Sequence, residues 1–185
     1  MAWFGRRKRP GTTTLVAVDP DYFRRVLSHF CSGVVVVTAV AGGRPVGLTC
    51  QSFSSLSLDP PLVMFGAAKA SRSWPDVRGV GRFAVNILGD DQAEVSRLFA
   101  RTGRDKFGDL TWRPGVTGAP LIDGSLAHIE CELAAVYDGG DHEIAVGRVL
   151  ALEERADESH PLLFFRSEYR SLRRAPDFPS SPVDR

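Results

Sequence analysis

The sequence has few cysteines, no surplus of charge and no long apolar run, and each shortage closes off a class of protein. Its three thiols, Cys31, Cys50 and Cys131, are odd in number and form no C-x-x-C pair. That argues against both a disulfide framework and a structural zinc site. Twenty-three basic residues nearly balance 22 acidic ones, leaving a formal charge of +1. The basic excess of a dedicated nucleic-acid binder is therefore missing. No apolar stretch approaches the ~20 residues of a membrane helix, because Arg, Asp or Gly interrupts each one. Arg6, Arg7, Lys8 and Arg9 are followed by no apolar region, so the N-terminus does not read as a secretory signal. The expectation is a cytoplasmic protein that engages neither nucleic acid nor membrane.

What is present suits one globular domain: 185 residues, 43% hydrophobic and 24% charged. Residues 1–18 read as a basic, solvated tail. Residues 173–185, with Pro176, Pro179 and Pro182 among Ser and Asp, read as a second tail. The folded domain is expected over 19–172.

The first element is a helix from about Asp19 to Phe30, with Asp19 as its cap and Gly33 as its stop. Phe23, Val26, Leu27 and Phe30 recur along it at helical spacing. The period then changes. Val34 to Thr38 and Val46 to Cys50 flank Gly42-Gly43 as a hairpin. A serine-rich loop, Gln51 to Ser57, leads through Pro60-Pro61 into a strand at Leu62 to Phe65. A helical turn at Ser73 to Val77, a strand at Phe83 to Leu88 and a helix after Asp90-Asp91 follow. Beyond a loop through Phe107 and Trp112, Ala127, Ile129, Cys131 and Leu133 alternate with His128, Glu130 and Glu132, predicting one buried and one wet face. A Gly139-Gly140 turn returns the chain as Ile144 to Leu152, and a last strand covers Leu162 to Phe165. The pattern is mainly β with helical additions, and its hairpins call for a largely antiparallel sheet closed or half-closed into a small barrel.

Several segments carry chemistry. Gly79 to Ala84 matches G-x-G-x-x-A, but a strand follows the glycines where a dinucleotide site needs a helix, so the match is rejected. Thr49-Cys50-Gln51-Ser52-Phe53-Ser54-Ser55 sets hydroxyls and backbone N–H groups at a strand end, which suits a flat polar heterocycle. On composition alone a serine loop bonded to itself is the better reading. Cys50 has no basic neighbour in sequence and reads as an inert, buried thiol. Lys69, Ser71, Arg72 and Ser73 suit a phosphate, and a solvated basic loop explains them equally well. His29 and His160 read as structural. His142 stands in a Gly-Gly-Asp turn, where a side chain can project over a pocket. No histidine spacing suits a metal, and no nucleophile elbow supports a hydrolase.

Taken in order, FRRVLSHFCSGVVVVT, PVGLTCQSFSSLSLDPPLVMF, KASRSW, GRFAVNIL, DKFGDLTWRP, GSLAHIECEL, GGDHEIAVGRV and PLLFFRSEY run from Phe23 to Tyr169. This ordered set resembles the flavin reductase-like family, the small reductase components of two-component flavin-dependent monooxygenases. CQSFSSLSLDPPLV and KASRSW are similar in particular to reductases serving phenol-ring hydroxylases in actinobacterial sterol breakdown. Reductases of antibiotic-pathway halogenases and hydroxylases share much of the same wording.

The resemblance implies an FMN-binding split β-barrel and a homodimer with each flavin near the subunit interface. It also implies FMN or FAD as the flavin, NADH as hydride donor, and a separate monooxygenase that receives reduced flavin. By the same resemblance Thr49, Cys50, Gln51 and Ser52 line the flavin ring, with Ser54 and Ser55 close by. Lys69, Ser71, Arg72 and Ser73 serve the ribityl phosphate. Asn86, Lys106, Phe107 and Tyr169 fall at further contact positions, and His142 lies near the nicotinamide. Cys50 and Gln51 depart from the family's commoner wording. Two rivals share the barrel: a tightly FMN-bound oxidase of the pyridoxamine-phosphate-oxidase type, and a non-catalytic flavin-binding protein. The histidine turn argues against the second, since a pure binder has no use for a nicotinamide-facing residue.

Overall fold

A computed structural model describes residues 18–101, 103, 105–156 and 159–172. Apart from Val18, the two expected tails lie outside the described residues. Helix α1 (Pro20–Leu27) starts as expected, with the Asp19 carboxylate accepting from the Tyr22 amide at 2.7 Å. It ends at Leu27, short of Phe30, and Gly33 does not stop it. That glycine belongs to a short strand, β1 (Ser32–Gly33).

Strands β2 (Val35–Ala41) and β3 (Arg44–Cys50) form the expected hairpin, its turn supplied by Gly42 and Gly43 at φ 57° and 75°. The serine segment departs from expectation: β4 (Ser54–Leu58) is a strand, paired with β5 (Pro61–Ala68). Only Gln51 to Phe53 is left outside the ladder. Serine has little β-propensity, but an edge position lets hydroxyls face water while the backbone pairs. Helix α2 (Trp74–Val80) runs through a left-handed Gly81 into β6 (Arg82–Ile87), so the glycine pattern joins helix to strand. Helix α3 (Ala93–Ala100) follows. A two-stranded ribbon, β7 (Trp112–Pro114) with β8 (Pro120–Ile122), stands where the sequence reads as loop. The long hairpin β9 (Ala127–Gly139) and β10 (His142–Glu154) comes next. The chain closes with β11 (Leu163–Phe165) and β12 (Glu168–Arg170), the latter also unforeseen.

The main sheet has seven strands in the order β3-β2-β6-β9-β10-β5-β4, antiparallel throughout, and β1-β11-β12 forms a second sheet. The seven strands wrap around a core of Phe65, Phe83, Val37, Val85 and Cys131, into which α2 inserts Trp74 and Val77. A second core of Val34, Val36, Phe99, Phe107 and Leu162 lies under α3. β2 is thus covered on both faces. Its Val35, Val36 and Val37, all at most 3% exposed, have no need to alternate with polar residues.

The wet face expected of β9 is corrected by the same kind of covering. His128 and Glu130 are buried under the β7–β8 ribbon. The Glu130 carboxylate accepts from the Val116 and Thr117 amides at 3.0 and 2.7 Å, and a His128 ring nitrogen meets Ile122 O at 3.0 Å. Among the described residues no helix is long and apolar enough to cross a membrane.

Candidate active site

The barrel is closed incompletely. The end of β3 approaches β5 without a backbone ladder, and the side chains of Cys50 and Ser52 bridge the gap. The Gly66 amide donates to Ser52 Oγ at 2.9 Å, while Cys50 Sγ lies 3.4 Å from the Gly66 carbonyl. A Cβ on residue 66 would stand 2.9 Å from Ser52 Oγ, so a larger residue there would push that hydroxyl aside. Along the seam opens a cleft of about 750 Å³, the size of a cofactor site.

Ten of the fifteen residues expected at a site line this cleft: Thr49, Cys50, Gln51 and Ser52 on one wall, Ser71, Arg72 and Ser73 ahead of α2, Lys106 and Phe107 after α3, and His142 at the start of β10. The other five are elsewhere. Ser54 and Ser55 are exposed on β4 and bond to each other. Lys69 forms an ion pair with Asp138 across the β9–β10 turn. Asn86 is wholly buried, donating to Val36 O at 3.0 Å and accepting from the Ile122 amide at 2.8 Å, which locks β2, β6 and β8 together. Tyr169 lies behind the wall: its hydroxyl meets Ser96 Oγ at 2.9 Å, and the Ser96 carbonyl in turn accepts from Thr49 Oγ1 at 2.7 Å.

Two contacts unforeseen from sequence hold the site in shape. Glu143 accepts from the Trp74 indole at 2.6 Å and from Arg78 at 2.8 and 3.0 Å. This fastens the cationic loop before α2 to the strand that carries His142. Lys106 Nζ donates to Gly47 O at 3.0 Å and Phe99 O at 2.9 Å, setting the far wall. Gly66 was also missed, although a glycine within an apolar strand is a signal of close backbone approach.

Burial pushes the Cys50 thiol up, outweighing its hydrogen bonds, which works against thiolate formation. Partial burial lowers Lys106. His142 Nδ1 lies 2.7 Å from Asp141 Oδ1, and that hydrogen bond is the main reason Asp141 is held below the usual carboxylate range. The donor set fits a flavin. Gln51 and Ser52, outside the β3 and β4 ladders, offer amide and hydroxyl partners to a polar ring edge, and Ser71, Arg72 and Ser73 offer phosphate partners. Among the described residues no cluster of His, Cys, Asp and Glu could hold a metal ion.

A half-open antiparallel barrel with a hydroxyl-lined, cation-rimmed seam defines a flavin-binding split-barrel redox protein. Comparison with known proteins makes this specific. The Flavin reductase like domain matches residues 27–173, and the chain belongs to that family. It is 48% identical over 156 residues to the flavin-dependent monooxygenase reductase subunit HsaB of Mycobacterium tuberculosis, spanning 84% of this chain and 83% of that one. The structure of nitrilotriacetate monooxygenase component B from Mycobacterium thermoresistibile superposes with a TM-score of 0.83 at 49% identity, over 87% of this chain and 90% of that one. The NADH:FAD oxidoreductase SgcE6 of Streptomyces globisporus, in complex with NAD and FAD fragments, gives a TM-score of 0.78 at 38% identity, over 88% and 98%. Membership of that family makes the chain a flavin reductase, an oxidoreductase.

Proposed function

We propose that the seam cleft is where NADH reduces flavin, and that the product leaves to serve a separate monooxygenase. The observation that carries this is the convergence of Gln51 and Ser52, Ser71 to Ser73 and His142 on one cleft from distant parts of the chain. When bound there, flavin supplies the hydride-accepting centre. The protein supplies placement. Thr49 to Ser52 hold the ring edge, and Ser71, Arg72 and Ser73 hold the phosphate. His142, oriented by Asp141, positions the dihydronicotinamide so that two rings meet in reactive geometry. The chemistry needs no proton donor, so His142 is assigned to positioning. Asn86 and Tyr169 act from behind the site, and Lys69 through its pair with Asp138.

The oxygenase partner acts on an aromatic or sterol-derived phenol, or within an antibiotic pathway, in line with the likeness to HsaB. The protein works as a homodimer in the cytoplasm. Outward-facing Phe23, Leu27 and Phe30 near α1, with Leu58, Leu150 and Leu152, supply apolar surface for a second copy.

The test is anaerobic. Protein mixed with NADH and excess FMN or FAD should bleach flavin over many turnovers, and the two kcat/KM values rank the flavins. Reduction that stops at one flavin per protein would point to a tightly bound cofactor and refute the supply role. His142→Ala should raise KM for NADH at least tenfold, with a smaller loss in kcat. A large kcat loss with unchanged KM would contradict the positioning role.

A further inference from the structure

Behind the β3 wall of the cleft, three hydroxyl-bearing residues connect the second sheet to the site. Tyr169 of β12 meets Ser96 Oγ of α3 at 2.9 Å, and the Ser96 carbonyl accepts from Thr49 Oγ1 at 2.7 Å. We infer that Tyr169 and Ser96 are positioning residues that hold the Thr49 hydroxyl as an acceptor only toward the cleft, where it reads an N–H of the flavin ring. The inference rests on the flavin reductase reading and names what one wall of that site recognises.

The polarity of Thr49 is settled by its partner. A hydroxyl has one proton and two lone pairs, and a carbonyl oxygen can only accept. The Thr49 proton is therefore committed to Ser96 O. Thr49 is half-buried and lines the cleft, so what its oxygen keeps for a ligand is lone-pair capacity.

Its neighbours on the wall do not share this state. Cys50 Sγ and Ser52 Oγ lie 3.3 Å apart and both contact the Gly66 carbonyl, at 3.4 and 3.2 Å, while Ser52 also accepts from the Gly66 amide. Their bonds close the seam. Gln51 is exposed and can turn either end of its amide to a ligand, so it fixes no polarity.

The support behind Thr49 is rigid. Ser96 is fully buried, and among the described residues Tyr169 is the partner of its hydroxyl. The tyrosine ring is itself held, edge-on to Phe164 with centroids 5.4 Å apart and with the Arg97 guanidinium 4.9 Å over it. Phe99 pins the same helix to β3: a Cβ on Gly47 would stand 2.7 Å from Phe99 Cε1. Ser96 is thereby kept in register with Thr49.

The edge of an isoalloxazine is mostly carbonyl oxygens and bare nitrogens. Its N–H groups are N3–H, present in both oxidation states, and N5–H, gained on reduction. An acceptor-only hydroxyl suits these alone, and it complements the amide donors of the same wall.

Anaerobic calorimetric titrations test this with whichever of FMN and FAD binds tighter, its N3-methyl derivative and its dithionite-reduced form. Thr49→Val should weaken the oxidised flavin about tenfold, as expected for one lost hydrogen bond, and leave the N3-methyl flavin unmoved. A loss confined to the reduced form assigns the contact to N5–H, and lowers the potential of bound flavin by about 30 mV, the two-electron equivalent of tenfold. Thr49→Ser keeps the hydroxyl and should bind as the parent does, which separates a lost bond from a disturbed wall. Tyr169→Phe should give a smaller loss with the same ligand preference, and no further loss when added to Thr49→Val. Parental affinity in Tyr169→Phe, or a loss that adds in full to that of Thr49→Val, overturns the positioning role. An equal loss for all three ligands in Thr49→Val, or none, overturns the inference. Parent protein that binds no flavin removes the underlying reading as well; a binding parent with an unaffected Thr49→Val removes this inference alone.

Discussion

Ser52 Oγ takes a hydrogen bond from the Gly66 amide at 2.9 Å and lies 3.2 Å from the Gly66 carbonyl, so one serine joins two strands that share no ladder. An added methyl at 66 meets that hydroxyl at 2.9 Å, and Ser52 cannot retreat without giving up both contacts. Gly66→Ala should therefore cost about 1–3 kcal/mol of stability and raise KM for flavin several-fold. Denaturant midpoints and flavin titrations check this. An unchanged midpoint with unchanged flavin KM would mean that the seam is held by something else.

Glu143 ties Trp74 and Arg78 of α2 to β10. Its side chain is 20% exposed. Glu143→Ala strands a buried indole N–H and should destabilise the protein by about 1–3 kcal/mol. KM for flavin should rise with it, since Ser71 to Ser73 precede the loosened helix. Glu143→Gln, which still accepts from Trp74, should recover most of the flavin affinity. A flavin KM equal in all three proteins would detach this clamp from the site.

Glu130 makes a contrasting case. Its carboxylate satisfies two ribbon amides and the Thr117 hydroxyl, and it lies outside the cleft. Glu130→Ala should lower stability by about 2–3 kcal/mol while the folded fraction keeps parental kcat and KM. A kinetic defect at full folding would show that the ribbon reaches the site.

Cys131 sets an alkaline limit. Burial pushes its thiol from 9.0 up to about 12. The folded state then keeps a proton that the unfolded chain releases, so stability is whole below pH 9.0 and declines as pH rises toward about 12. Cys131→Ala should flatten the fall in stability between pH 9 and 11, measured by denaturant unfolding, even though the cavity lowers stability overall. Equal slopes for both proteins would contradict the shift.

Much of the architecture was legible in local chemistry. Asp19 and Pro20 announced α1, Gly42-Gly43 announced its hairpin, and the direction of the Gly79 to Ala84 segment excluded a dinucleotide fold. The errors share a cause. The serine strand β4 and the buried Glu130 face depend on what packs or pairs against them, and a strand's own residues do not reveal its cover. Asn86 and Tyr169 are of the same kind. Their positions in the chain resemble contact positions, but their hydrogen bonds turn them toward Val36 and Ser96.

By itself the sequence determined a mainly antiparallel barrel with helical additions and the places along the chain of its hydroxyls, cations and loop histidine, because turn chemistry, periodicity and side-chain donors are local properties; their assignment to flavin and nicotinamide is what the family resemblance implies. Only the tertiary structure decided which of those residues share a cleft. It opened the seam at Ser52 and Gly66, drew Glu143 onto Trp74, and set Ser96 between Tyr169 and Thr49. Those outcomes follow from strand register and burial between segments far apart in the chain, which no window of sequence contains.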